Sequence, residues 1–283
     1  MLRRQQRGHA GDGRVRHPGL AAATAATATA LLLCGCPTSS YTRQVQPPAV
    51  KVLLGKVGAR QQALSALRGK ATVDHWDGKQ RIKGSVDFLM ARPGQLHFRA
   101  VDPAGGVASK LATDGRDFQL LDVANNRFLV GAATPCNLAR LAQIAASPPA
   151  IIDILTGSAP LPVGATGTLT WDKSAGAKVV TLALPGGGSE IVRLDGRGKQ
   201  PSYDVMSAEE RDAAGKVLWK LSHHEFRVVD GVRIPAVTKF AQPARKADVI
   251  IKWSSQTPNP DPAIPDAAWH LESELPAELV TCE

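Results

Sequence analysis

The stretch Arg81-Ile82-Lys83-Gly84-Ser85-Val86-Asp87-Phe88-Leu89-Met90 decides the fold class. Ile82, Gly84, Val86, Phe88 and Met90 fall on one side of an extended chain, and Arg81, Lys83, Ser85 and Asp87 fall on the other. This period of two belongs to a strand with one dry and one wet face. The same alternation precedes it, with Leu67, Gly69, Ala71 and Val73 against Arg68, Lys70, Thr72 and Asp74, and Asp77-Gly78 supplies a hairpin turn between the two. It follows again in Leu96, Phe98 and Ala100 against Gln95, His97 and Arg99. A sheet that is greasy on one face only is antiparallel.

Outward from this hairpin, turn signals recur at 103–106, 114–115 and 125–126 and separate strands over 107–113, 118–123 and 127–131. An amphipathic stretch from Lys51 to Leu67 reads as a helix at the end of the sheet. At Thr134-Pro135 the period changes: Leu138, Leu141, Ala142 and Ala145 recur at helical spacing. Ser147-Pro148-Pro149 then reads as an N-cap with proline in the first turn of a second short helix, through Ile151, Ile152, Ile154 and Leu155 to Gly157. Strands resume over 167–171, 179–184, 190–194, 202–206, 217–229, 232–240 and 248–253. About thirteen strands exceed what a flat sheet comfortably holds. The expectation is a mainly β domain over 51–283: a curved antiparallel sheet forming a half-open barrel, a helical lid near 135–157, and a Pro-rich tail over 257–283.

Composition narrows the function classes. The 283 residues carry 34 Lys or Arg and 25 Asp or Glu, a net +9. Five of those charges are Arg3, Arg4, Arg7, Arg14 and Arg16, which lead into an uncharged run, Gly19 to Leu33. That is the pattern of a signal peptide over 1–35. Leu33-Cys34-Gly35-Cys36 resembles the bacterial lipobox, a resemblance that implies diacylation of Cys36 and attachment to a membrane, with 36–50 as a flexible tether. Pro37 stands where an Asp would retain a lipoprotein in the inner membrane, and by that rule the outer membrane is expected. Without the leader the chain holds 29 basic and 24 acidic residues, a net +5. These are scattered, and few aromatics accompany them, so no nucleic-acid groove is expected.

No GxSxG, HExxH, phosphate-binding loop or dinucleotide fingerprint is present. The chain is therefore expected not to be an enzyme, and no cofactor is expected. His223, His224 and Glu225 look like a metal cluster, but neighbours on a strand point to opposite faces, so no metal site is expected there. His75 stands alone near a hairpin. Cys136 and Cys282 either bridge the start of the lid to the tail or lie too far apart, beyond about 7 Å between Cα atoms, to join.

Several segments together resemble the LolA/LolB-like lipoprotein-localization proteins, most closely their outer-membrane receptor branch, LolB. They are ALRGKATV (66–73), RPGQLHFRA (92–100), VDPAGGVASKLATDG (101–115), IIDILTG (151–157), VVDGVRIPAVTKF (228–240) and VIIKW (249–253). The resemblance spans roughly 60–255 and rests on the order of the motifs. It implies an incomplete barrel whose helical lid covers an apolar cavity for acyl chains, a place in outer-membrane lipoprotein localization facing the periplasm, and a LolA-like carrier as partner. It also places a membrane-contact loop at 102–107, where Ala104 stands in place of a large aliphatic and Val107 is the nearest substitute. Ala in place of Leu lowers insertion energy by roughly 2 kcal/mol. Candidates for the cavity lining are Val86, Phe88, Phe98, Leu138, Leu141, Ile151, Ile152, Leu155, Leu182, Trp219 and Trp253, each of which could instead be packed core. The alternative function is an accessory outer-membrane lipoprotein that binds a protein partner and has no cavity. A continuous apolar space of several hundred Å³ under the lid distinguishes the two.

Overall fold

The computed structural model describes residues 41, 48–76, 78–102, 104–139 and 144–282. The leader, Cys36, nearly all of the tether, Asp77 and Leu141 lie outside the described residues.

Among the described residues fourteen strands form one sheet: β1 Ala66–Trp76, β2 Arg81–Ala91, β3 Gln95–Val101, β4 Val107–Thr113, β5 Asp117–Asp122, β6 Arg127–Ala132, β7 Gly167–Asp172, β8 Ala177–Ala183, β9 Ser189–Asp195, β10 Val205–Arg211, β11 Val217–Val229, β12 Val232–Gln242, β13 Ala247–Pro258 and β14 Ala277–Leu279. The helices are α1 Val50–Ala63, α2 Pro135–Ala139 and α3 Pro148–Thr156. The spatial order is β14-β6-β5-β4-β3-β2-β1-β13-β12-β11-β10-β9-β8-β7. The chain thus lays down one half, inserts α2 and α3, and returns to build the other half against β1. The end strands β14 and β7 are not paired to each other, so the sheet curls without closing. Register shifts at Lys70/Ala71, Ala100/Val101, Val205/Ser207 and Glu210/Arg211 mark bulges, which bend strands.

Alternation decides which side is concave. Cross-strand pairing places Ile82, His75, Val249, Phe240, Leu221, Ala208, Val192, Val180 and Leu169 in one row across nine strands, and all but Ile82 and Leu169 are buried. A second row runs Gly69, Phe88, Phe98, Leu111, Leu120 and Leu129. Gly69 has a steric reason: a Cβ there would meet a Trp253 ring atom at 2.8 Å. The β11–β12 turn, Asp230-Gly231, has φ of 48° and 77°, which suits the Asp-Gly pair of a tight hairpin.

Four boundaries depart from the sequence reading. α1 ends at Ala63, because Asn259 ties the junction to the end of β13: its Oδ1 accepts from Ser65 N (2.9 Å) and Ala66 N (3.2 Å), and its Nδ2 donates to Ala63 O (2.8 Å). β10 begins at Val205 rather than Ser202, since Asp204 is buried in ion pairs with Arg60 (2.6 Å) and Arg233 (2.7 Å) outside the ladder. It then runs through the charged Glu209-Glu210-Arg211, where Arg211 pairs with Glu209 and Trp219 Nε1 donates to Glu210 at 2.6 Å. β13 continues past Trp253 to Pro258, along β1.

The fourth departure is the tail. It folds over the outer face of β3 to β5, where Trp269 is buried, His97 Nδ1 meets Ala268 O at 2.7 Å and Leu271 N donates to Gln119. It then adds β14 in parallel to β6, held by the Arg127–Glu278 pair at 2.7 Å. A disulfide joins Cys136 to Cys282, with Cα atoms 6.0 Å apart across 146 residues of sequence. Closing so long a loop restricts the unfolded chain most, so reduction or the double substitution C136S/C282S should cost about 2–5 kcal/mol. Urea unfolding with and without reductant measures it, and coincident curves would refute the estimate.

Candidate functional site

α3 lies across the concave face, with neighbours on β3 and β12. It is apolar around most of its circumference: Ile151, Ile152, Ile154 and Leu155 are all buried. Ser147 is its N-cap residue by position, but its hydroxyl caps nothing, and Pro148 and Pro149 begin the first turn. Gly157 ends it with φ 91°, and a Cβ there would meet Pro235 Cδ at 2.5 Å, so both the left-handed turn and the contact with β12 exclude a larger residue.

Beneath α3 is an apolar cavity of about 130 Å³. Its floor comes from six adjacent strands: Val249 and Ile251 of β13, Val73 and His75 of β1, Val86 and Phe88 of β2, Phe98 of β3, Ser109 and Leu111 of β4, and Leu120 of β5. Its roof is Ile144, Ile151 and Leu155. Of the candidates from sequence, Val86, Phe88, Phe98, Ile151 and Leu155 meet here. The spacing of Ile151 and Leu155, one helical turn, turns both toward the floor.

Leu138, Ile152, Leu182, Trp219 and Trp253 do not line this cavity. Leu138, Ile152 and Leu182 are buried in the core. Trp253 pairs with Ala71, and its ring, 4.9 Å from that of Phe88, fills the space over Gly69. Trp219 is half-buried and stacks on Phe240 at 6.0 Å, in the other half of the sheet. Alternation identifies the concave face but not which part of it is already filled. The candidate list also missed Val73, Ala100, Leu111, Leu120, Val249 and Ile251, which alternation places inward, His75 and Ser109, which are polar, and Ile144, which lies in an irregular segment. Ala104 is exposed and Val107 half-buried at a turn that Asp102 holds by accepting from Ala104 N (2.8 Å) and Gly106 N (2.9 Å).

The roof is fastened mainly at its C-terminal end. Arg92 pairs with Asp153 at 2.7 Å and donates to Leu64 O at 3.1 Å. Burial raises the Asp153 carboxyl above its ordinary pKa, and the Arg92 charge opposes this. Gln61 of α1 donates to Ser158 Oγ at 2.7 Å. His223 is fully buried, and desolvation lowers its pKa to about 4. Its Nε2 lies 3.0 Å from Ser158 O, which can only accept, so Nε2 carries the proton and Nδ1 accepts from Thr238 Oγ1 at 3.1 Å. His224 points to the opposite, exposed face. Among the described residues no group of three or more His, Cys, Asp or Glu could hold a metal. The Ile151–Leu155 end of the roof is thus held by an ion pair and several hydrogen bonds. At the start of the roof, Ala145 N donates to Gln242 Oε1 at 3.2 Å.

Beyond the C-terminal turn of α3 lies a separate groove of about 230 Å³, lined by Val57, Arg60, Gln61, Thr156, Tyr203 and Arg233 among others. Its two arginines are the partners of the buried Asp204.

No family model and no curated protein matches the chain. Solved structures do. A LolA superfamily protein from Nitrosomonas europaea aligns with a TM-score of 0.53 at 11% identity, over 80% of this chain and 99% of its own. The fold is LolA-like. A DUF1329 family protein from Desulfovibrio piger aligns with this chain at a TM-score of 0.53 and 14% identity, over 79% and 98% of the two chains. A putative outer membrane lipoprotein-sorting protein domain from Vibrio parahaemolyticus aligns at 0.51 and 10%, over 77% and 94%. At these identities the LolA-like fold is what the proteins share.

Proposed function

We propose that this protein is a lipid-anchored binding protein of the cell envelope that holds acyl chains of lipoproteins, or another amphiphile, between its concave sheet and α3. The observation that carries this reading is the unfilled apolar space beneath a roof made of aliphatic side chains, in a sheet whose concave rows are otherwise densely packed. The cavity, about 130 Å³, is smaller than the several hundred Å³ expected from sequence. It matches a space that takes a benzene-sized group rather than a whole chain. Binding therefore includes displacement of Ile151 and Leu155. The six floor strands, at about 4.8 Å spacing, then offer a trough about 24 Å wide, enough for a long acyl chain. Apolar burial drives binding at about 25 cal/mol per Å², with no covalent step.

On this reading Cys36 carries the anchor, and the protein faces the periplasm from the outer membrane in lipoprotein localization. A LolA-like carrier delivers cargo to it, and the Ala104–Val107 turn meets the bilayer weakly. The lipoprotein-sorting name of the Vibrio parahaemolyticus relative is consistent with this role. The test is binding of a fluorescent long-chain fatty acid together with mass spectrometry of amphiphiles that co-purify. Saturable binding, weakened at least tenfold by Phe98→Asp or Leu155→Asp, is expected. No bound amphiphile and no saturable binding would favour the accessory, partner-binding alternative.

A further inference from the structure

One residue of the cavity lining carries a buried polar atom that its surroundings leave unused. His75, on β1, lines it and is 6% exposed. Its Nδ1 lies 3.0 Å from the backbone oxygen of Asp248 on β13. A carbonyl oxygen only accepts, so Nδ1 carries the ring proton, and in the neutral ring Nε2 is a lone-pair acceptor. That Nε2 is shielded from water and has no hydrogen-bond partner among the described residues. The contrast with His223 is instructive, because there both ring nitrogens are satisfied by Thr238 and Ser158. An unmet buried acceptor is costly, and that cost is removed only when a donor reaches it.

From this we infer that the cavity's ligand is an apolar chain bearing a hydroxyl group, whose O–H donates to Nε2 of His75. The inference rests on the acyl-binding reading above and names the substrate class for that site. The neighbours Val73, Val249 and Ile251 are apolar and offer no donor, so the hydroxyl is the complement that the site lacks. Ser109 is the other polar residue of the lining and stands on β4, three strands away from β1 in the sheet. A site that buries an acceptor discriminates most strongly against the analogue that lacks the donor.

The test compares palmitate with a panel of hydroxypalmitates, substituted at positions near the carboxylate, mid-chain and terminal, for wild type, His75→Phe and His75→Gln. The expected result is that at least one hydroxypalmitate binds wild type about tenfold more tightly than palmitate. His75→Phe should abolish that preference while retaining palmitate binding, and His75→Gln, whose amide oxygen accepts, should keep part of it. Nitrogen-15 NMR adds a readout independent of stability: the Nε2 resonance of His75 should shift on adding the preferred chain and not with palmitate. Palmitate binding without any hydroxyl preference, or a preference unchanged in His75→Phe, overturns this inference and leaves the acyl-binding reading intact. Failure of every chain to bind overturns both.

Discussion

Glu190→Gln should stabilise the domain by about 3 kcal/mol at pH 7 and about 5 kcal/mol above pH 8, with little effect below pH 4.5. Glu190 is 1% exposed on the concave side of β9, directly opposite Glu210 of β10. Burial, with further contributions from the charges of Glu210 and Asp153, raises its pKa from 4.5 to about 8. Its Oε1 has no hydrogen-bond partner among the described residues. The folded state thus holds a proton that the unfolded chain releases near 4.5. Stability is fully present below that value and falls as pH rises toward 8, where the ionised carboxylate must be accommodated. Gln keeps the shape of the protonated acid and removes the titration. His223 acts with the opposite sign: its folded pKa lies below 6.5, so its contribution is present above 6.5 and lost as pH falls through about 4. Urea unfolding of both proteins at pH 4.5, 7 and 8.5 separates the two residues, because only Glu190 differs between them. A constant offset at all three pH values would contradict the mechanism.

Arg92→Ala should cost about 3–5 kcal/mol at pH 7, more than an exposed ion pair, because it strands a partly buried carboxylate. The side chains of Arg92 and Asp153 are 21% and 15% exposed, and removal of the guanidinium also frees Leu64 O. Arg92→Ala/Asp153→Ala should recover part of the loss, since the uncompensated charge goes with Asp153. The cost in Arg92→Ala should shrink as pH falls, because burial raises the Asp153 pKa and a protonated carboxyl no longer needs the guanidinium. Hydrogen exchange should quicken across α3 more than across β8 and β9. If exchange rises equally everywhere, Arg92 supports the fold as a whole rather than the roof. Faster fatty-acid association in Arg92→Ala than in wild type would follow from the same loosening.

The strands, the helical insertion and the Asp230-Gly231 hairpin were legible because each is a local matter: side-chain direction alternates, proline begins a helix, and an Asp-Gly pair turns. Val86, Phe88, Phe98, Ile151 and Leu155 were legible as inward residues for the same reason. Trp253 and Trp219 satisfied that pattern equally well, yet one fills the space over Gly69 and the other stacks on Phe240. Strand residues Glu209, Glu210 and Arg211 gave no strand signal, since their charges are paired only in the folded sheet. His75 read as a hairpin residue because its polarity hides its position on the concave side.

The sequence by itself determined that this is a one-sided antiparallel sheet with a short apolar insertion, through periodicities that depend only on backbone geometry. It also set the leader pattern and the pair of cysteines. Tertiary structure alone decided where the concave face stays unfilled, which end of α3 is tied, and that the tail covers the outer face before its disulfide. Those outcomes depend on contacts such as Arg92 with Asp153 and Cys136 with Cys282, whose partners lie 61 and 146 residues apart. Local pattern carries no information about which distant side chain arrives first to fill a space.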